Sequence, residues 1–348
     1  MTRPMSKILH IQPAEWDLHS AVWSAWPSDG KLWQENLEFA RREVEAFYKA
    51  IVDLDPATGV PRGELLKILA CGEDAVASAR ACLHGTGAEI IPATFGDIWI
   101  RDTAPIFVQA GGQQLAACFK FNGWGGKYLL DGDSGVSSMI ASHTGLQVVA
   151  HNWILEGGSI DVDGAGTALT TRQCLLNPNR NPNLTEHEIE EHLSWSLGIK
   201  KLIWLGDGLV NDHTDGHIDN IARFVAPGVV GCMEPSGLDD PNYDTLTATI
   251  ASLKGGIDAC GRKLDIATIP SPGRVEGADG EIIPASFVNF YIGNTTVVVP
   301  VYGTKKDDSA VERIARLFPT RRTVGLLANH VISGGGSFHC ITQQQPAV

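Results

Sequence analysis

The sequence predicts an α/β fold in which one helix-strand-hairpin unit repeats around a shared centre, as a ring or propeller. Amphipathic helical segments near 74–84, 134–144, 185–197, 244–260 and 308–318 recur at a period of roughly 50 to 65 residues, with β-type runs close behind them. Turn signals mark a hairpin in unit after unit: Gly111-Gly112 after Ile98–Gln109, Asp163-Gly164 after Ser159–Val162, Pro227-Gly228 after Ile218–Val225 and Gly293-Asn294 after Phe287–Ile292. Equivalent points also look alike, since Glu156-Gly-Gly-Ser-Ile-Asp161, Asp215-Gly-His-Ile-Asp219 and Gly334-Gly-Gly-Ser-Phe-His339 all fall where a hairpin begins.

Taken in order, the run from Ala21 to Ser28 reads as a short strand, and Trp33 to Val52 carries helical periodicity. Its broad apolar face holds Leu37, Phe39, Ala40, Val44, Phe47, Tyr48 and Ile51. Leu65–Cys71, Ile199–Leu205, Leu264–Ile269 and Thr323–Leu327 read as strands, and the last unit is cut short at Cys340. No linker or low-complexity segment divides the chain, so residues 1–348 are expected to form one domain.

The bulk composition narrows the function. With 43% hydrophobic residues the chain can bury a sizeable core. Forty acidic against 27 basic residues give a net charge of −13, which argues against nucleic acid and suits a cationic small substrate. Seven scattered cysteines, with no C-x-x-C pair, fit reduced thiols in a cytoplasmic protein. Met1 to Asp17 has no signal-peptide core, and no stretch approaches the roughly 18 to 20 apolar residues of a membrane span, so no membrane partner is expected. Homo-oligomerisation stays open.

Four clusters at the hairpin starts carry the chemistry: Gly96-Asp97-Ile98-Trp99-Ile100-Arg101-Asp102, Glu156-Gly157-Gly158, His213-Thr214-Asp215-Gly216-His217-Ile218-Asp219-Asn220 and Gly336 to Cys340. Together they supply a thiol, an imidazole and three carboxylates, Asp97, Glu156 and Asp219. That set suits attack on a guanidinium carbon. Carboxylates on two sides can hold the planar cation by its N–H groups and fix its carbon over the sulfur. A bound cation and a nearby His can favour the thiolate, and the same His can protonate departing ammonia and later activate water.

The sequence also resembles the agmatine deiminase family, close relatives of the bacterial-type peptidylarginine deiminases in the guanidine-modifying superfamily. The resemblance rests on Trp26-Pro27, Trp33, Trp99-Ile-Arg-Asp-Thr-Ala-Pro105, Asn122-Gly-Trp-Gly-Gly-Lys-Tyr128, Glu156-Gly-Gly158 and Leu176-Asn-Pro-Asn-Arg-Asn-Pro182. It continues through Thr214-Asp-Gly-His-Ile-Asp-Asn220 and ends on Gly334-Gly-Gly336 with His339-Cys-Ile-Thr-Gln-Gln344. It implies a five-bladed pseudo-symmetric α/β propeller, or pentein. Cys340 would be the nucleophile and His217 the general acid/base. Asp97 and Asp219 would hold the guanidinium, with Glu156 as acidic partner of His217 and of the substrate end. Trp99, Trp124, Asp212 and His213 would complete the substrate-binding set, and no metal or cofactor is implied. The implied reaction converts agmatine to N-carbamoylputrescine with release of ammonia, through a covalent thiouronium. Agmatine-specific members of the resembled family carry an acid four positions before the catalytic His, where this chain has His213. A neighbouring Asp212 or Asp215 could substitute, or the substrate could be another alkylguanidine, arginine or peptidylarginine.

Two other classes compete. His213, His217 and Asp219 offer two imidazoles and a carboxylate within seven residues, as in a metal-dependent hydrolase, but Gly216 weakens the helix that would align them. A non-catalytic guanidinium-binding protein would use the acids and have no need of Cys340. Gly123-Trp-Gly-Gly-Lys127 lacks Walker spacing and reads as a mobile loop over the site.

Overall fold

The structure is a computed structural model that describes residues 10–348; the first nine residues of the Met1–Asp17 stretch lie outside the described residues. The opening apolar run forms β1 (His19–Ala25), with every residue but Ser20 buried, and it ends just before Pro27, which cannot donate to a ladder. Helix α1 (Leu37–Val52) buries Ala40, Val44, Phe47, Tyr48 and Ile51, the three-and-four spacing of a single face. It begins later than the periodicity suggests. Gly30–Trp33 is a separate helical turn, and Gln34 at φ 48° breaks the path before Leu37. Phe39, expected inside, is exposed and stacks on His330 with ring centres 4.7 Å apart.

Beyond α1, β2 (Leu66–Ala70) runs parallel to β1, and α2 (Glu73–Cys82) leads to β3 (Glu89–Pro92), parallel to β2. Four three-stranded sheets then repeat one pattern, in which an antiparallel hairpin is followed by a helix and a third strand parallel to the hairpin's second arm. The first is β4 (Ile106–Ala110), β5 (Gln113–Lys120), α3 (Asp133–Thr144) and β6 (Gln147–Ile154). The second is β7 (Ile160–Val162), β8 (Thr167–Thr171), α4 (Glu186–Leu197) and β9 (Lys201–Leu205). The third is β10 (Ala222–Ala226), β11 (Val229–Glu234), α5 (Tyr243–Leu253) and β12 (Asp265–Pro270). The fourth is β13 (Tyr291–Ile292), β14 (Thr296–Val301), α6 (Asp307–Leu317) and β15 (Arg322–Leu327).

The unit expected to stop at Cys340 does not stop there. β16 (Thr342–Pro346) pairs antiparallel with β1, Trp23 opposite Gln343, so the sheet order β16-β1-β2-β3 contains the same pattern with its hairpin arms drawn from the two ends of the chain. Other departures have local causes. The strands expected from Ile98 and Ile218 start only at Ile106 and Ala222, because Ile100–Thr103 and Ile218–Asn220 form short helical turns first. Pro105 then forces Ala104 into extended geometry at ψ 165° and lets β4 begin. The helix expected to run to 260 stops at Leu253, ahead of Gly255 at φ 85°.

Phe338, two residues before Cys340, is fully buried and stacks on Phe47 of α1, centroids 4.7 Å apart and planes 10° from parallel. This contact ties the approach to β16 onto the first helix. Phe338→Ala should therefore cost about 3–5 kcal/mol of stability, as truncation of a packed aromatic does. Thermal unfolding of the variant checks this, and a melting temperature equal to that of the unaltered protein would refute the anchoring role.

Candidate active site

Each hairpin's first strand is preceded by a short turn that delivers polar side chains to one region. Asp97 and Asp102 precede β4, Glu156 precedes β7, His217 and Asp219 precede β10, Asn289 precedes β13, and His339 and Cys340 precede β16. These turns come close together because glycine lets them. A Cβ on Gly158 would stand 2.6 Å from His217 Nδ1 and 2.9 Å from Asp102 Oδ1. One on Gly336 would meet the Trp99 ring at 2.6 Å, and one on Gly334 would meet Trp33 at 2.7 Å.

A cavity of about 340 Å³ opens over Cys340, with Asp97, Trp99, Asp102, Trp124, Tyr128 and His213 among its lining residues. The sulfur lies 3.2 Å from Asn289 Nδ2, which donates to it, and 3.8 Å from Asp219 Oδ2. Asn289 Oδ1 accepts from the His339 backbone N–H at 3.0 Å, so one amide holds both the thiol and the backbone beside it. Asp219 Oδ2 is hydrogen-bonded to His339 Nδ1 at 2.7 Å, while its Oδ1 is buried with no partner among the described residues. Behind them, His339 Nε2 meets Glu15 at 2.8 Å, and Glu15 pairs with Arg223 at 2.8 Å and Arg101 at 3.4 Å.

On the other side, Asp102 accepts from Trp124 Nε1 and from the Gly158 N–H, both at 2.9 Å, and its Oδ1 lies 3.7 Å from His217 Nδ1. Glu156 Oε1 accepts from Arg180 Nε at 2.8 Å, and among the described residues neither Glu156 Oε2 nor His217 Nε2, both buried, has a hydrogen-bond partner. Asp97 accepts from Trp33 Nε1 at 2.9 Å, and Trp33 and Trp99 lie tilted against each other with ring centres 6.2 Å apart.

The protein's own groups suppress charge in this site. Burial raises Asp97 to about 7, only partly offset by the Trp33 hydrogen bond. Burial with the nearby Asp219 and Glu156 carboxylates raises Asp102 to about 8. Burial lowers His217 to about 3, so the imidazole is neutral at pH 7, and burial with Asp219 and Asp102 lifts the Cys340 thiol well above its ordinary range. Asp219 is the exception. Burial pushes it up, but the His339 contact together with the nearby His217 and Arg223 outweighs that and holds it below the usual carboxylate range. A desolvated thiol among carboxyl groups and one neutral imidazole has the field that a planar cation would complete.

Of the residues singled out in the sequence, Cys340, Asp97, Trp99, Trp124 and His213 line the cavity, and Glu156, His217 and Asp219 are buried in contact with the lining or next to it. Asp212 is not brought there. Its carboxylate turns back to accept from the Thr214 N–H at 2.9 Å and from Asn220 Nδ2 at 3.1 Å, an Asx-type turn that holds the His217 loop. His213 sits at the cavity's edge, with its ring on Tyr128 and Nδ1 3.0 Å from the Tyr128 hydroxyl. Sequence reasoning gave no role to Asp102, Asn289, His339 or Glu15. The hairpin-start rule could have found Asn289, since it precedes β13 as Glu156 precedes β7.

The Porphyromonas-type peptidyl-arginine deiminase family matches residues 11–346 of this chain. The chain belongs to this family. Among its relatives, an agmatine deiminase of Stutzerimonas stutzeri is 36% identical over 365 residues, covering 97% of this chain and 96% of that protein. The structure of an Enterococcus faecalis agmatine deiminase catalysing its reaction superposes with a TM-score of 0.90 at 30% identity, covering 99% of each chain. A C. jejuni agmatine deiminase with substrate bound gives 0.88 at 26% identity, covering 100% of this chain and 99% of the other. The fold of this family member is thus the α/β fold of those enzymes. Its geometry also tells against the hydrolase alternative. Among the described residues, the group whose ligand atoms converge is Glu156, Cys174 and His217, which includes neither His213 nor Asp219.

The raised carboxyl of Asp97 gives a pH signature. Unfolded, it ionises near 3.8; folded, it keeps its proton to about 7, so the folded state binds the extra proton between those values and stability falls as pH rises through that window. Asp102 extends the same trend to about 8. Asp97→Asn should flatten this decline in the ligand-free protein. Denaturant midpoints measured from pH 4 to 8 test it, and an unaltered slope would mean that Asp97 is ionised throughout.

Proposed function

We propose that this protein is a guanidine deiminase that hydrolyses the guanidinium of a small alkylguanidine, agmatine in the first instance, to a ureido group and ammonia. The reading is carried by one observation, the Cys340 thiol beside Asp97, Asp102 and Asp219 over a single cavity, with neutral His217 behind. Membership of the family and the agmatine deiminases among its relatives support the same class. We also read the five sheets as blades of one closed ring, supported by their shared strand pattern and by the β1–β16 pairing that joins the two ends of the chain. The seven free cysteines fit a cytoplasmic setting. Among the described residues no helix is long and apolar enough to cross a membrane.

The chemistry follows from the charges. An arriving guanidinium brings a positive charge into a site where burial opposes anions, so Asp97 can ionise and hold it by its N–H groups, with ionised Asp219 on the other side. The same cation favours the Cys340 thiolate, and the thiol proton passes to His217, whose free Nε2 can accept it. Attack of sulfur on the guanidinium carbon forms the C–S bond. Proton transfer from His217 to one amino group then lets it leave as ammonia, and a thiouronium remains on Cys340. His217, neutral again, takes a proton from water as its oxygen adds to the same carbon. Collapse breaks the C–S bond as His217 returns its proton to the departing sulfur, the hydroxyl proton passes to solvent, and the ureido product is released.

Activity should appear as ammonia release from agmatine in the presence of a chelator. Cys340→Ala should abolish it, and Asp97→Asn or Asp219→Asn should lower kcat/KM by about a hundredfold, roughly 3 kcal/mol of lost stabilisation of a buried cation. Full turnover in Cys340→Ala would sink the mechanism. Substrate choice is read by comparing kcat/KM for agmatine, free arginine and a blocked peptidylarginine. His213 and Tyr128 at the cavity edge supply no carboxylate for a distal ammonium, and we expect agmatine to lead because, among the described residues, no lysine or arginine lines the cavity to receive arginine's carboxylate. A preference for arginine or peptidylarginine would reassign the substrate.

A further inference from the structure

Behind the cavity wall lies a ligand set that the deimination reading uses only in part. Cys174 sits on the short helical turn Arg172–Leu175 that follows β8, where the Thr171 hydroxyl accepts from its backbone N–H at 3.2 Å. Its side chain is wholly buried. One ligand atom from each of Cys174, Glu156 and His217 falls within 4.8 Å of the other two. Two polar atoms of the group, Glu156 Oε2 and His217 Nε2, are buried with no hydrogen-bond partner among the described residues. Unsatisfied buried donors and acceptors are costly, and here they belong to residues that converge with a thiol.

We propose that Glu156, Cys174 and His217 form an inhibitory site for a borderline divalent cation of the zinc class. One sulfur, one imidazole nitrogen and one carboxylate oxygen, each about 2.0–2.3 Å from the metal, make three corners of a tetrahedron, and water fills the fourth. Small side-chain movements close the present spacing to those lengths. The set disfavours magnesium and calcium, which call for six or more oxygen ligands. On binding, Cys174 loses its thiol proton to solvent as the S–metal bond forms, and no oxidation or reduction is involved. Thiolate and Glu156 carboxylate together balance the dication. Arg180, which stays on Glu156 Oε1, is itself offset by Asp215.

The inference rests on the reading of His217 as the proton carrier. A metal on this cluster occupies the imidazole and the Glu156 oxygen that the guanidinium chemistry needs, so the enzyme stops without any change at Cys340. Because all three ligands are buried and His217 serves the substrate site, inhibition should develop slowly and be opposed by bound substrate.

Cys174 itself stands outside the proposed machinery, which makes it the discriminating position. Zinc should inhibit the unaltered enzyme progressively, with activity restored by a chelator. Cys174→Ser should keep its activity within about twofold yet need at least about tenfold more zinc for the same inhibition. A direct binding readout separates failure of this inference from failure of the deiminase reading. In Cys340→Ala, which retains Cys174, bound zinc should still show one sulfur neighbour by X-ray absorption, and one equivalent of cadmium should give the ultraviolet thiolate absorption. Loss of that sulfur in Cys340→Ala, or equal zinc sensitivity in Cys174→Ser, would assign the metal to Cys340 and overturn the proposal.

Discussion

The hydrogen bond between Asp219 and His339 is the contact on which the site depends. It holds the one carboxylate beside Cys340 whose affinity for protons stays low, in a region where burial raises Asp97, Asp102 and Glu156. His339 is in turn fixed by Glu15, Glu15 by Arg223 and Arg101, and Arg223 by Asp161 at 2.7 Å. Buried carboxylates and guanidinium groups linked in this way, with His339 bridging two of the acids, are stable only when every charged member is paired, since one uncompensated buried ion costs about 3–5 kcal/mol. The network therefore fixes the orientation of Asp219 and leaves Oδ1 free.

Fold and network are interlocked. Glu15 comes from the stretch before β1, Arg101 from the turn before β4, Asp161 from β7, Arg223 from β10 and His339 from the turn before β16. Pairing of β16 with β1 and the stacking of Phe338 on Phe47 keep the Cys340 turn in place. Repetition has a structural consequence here, because the turns that precede the first strands of the five sheets bring a thiol, an amide, an imidazole and carboxylates to a single volume.

Much of this was legible in the sequence, for a physical reason. Asp97, Glu156, His217 and Cys340 each follow or precede glycines at the point where a hairpin begins, and glycine is needed there because neighbouring turns leave no room for a Cβ. Asn289 carries no such mark, since Ser286-Phe-Val-Asn289 has neither glycine nor charge, and only its place in the repeat betrays it. His339 was visible in the motif but its role was not, because its partners Glu15 and Asp219 are 324 and 120 residues away in the chain. Asp212 misled for the opposite reason. Local sequence favours an Asx turn to Thr214 that consumes the carboxylate, and a spacing argument does not register that competition. The last strand escaped because its pairing partner is β1, at the far end of the chain.

On the proposed mechanism the Cys340 thiol, lifted above its ordinary range by burial and the nearby acids, becomes a thiolate when a cation sits between the carboxyl groups. Thiolate absorbance in the ultraviolet, followed at neutral pH while an unreactive alkylguanidinium is titrated into the protein, tests it directly, with Cys340→Ala as the blank. Little Cys340 thiolate is expected without ligand, with a saturable rise as the site fills. A full thiolate signal in the ligand-free protein, or none at saturation, would contradict it.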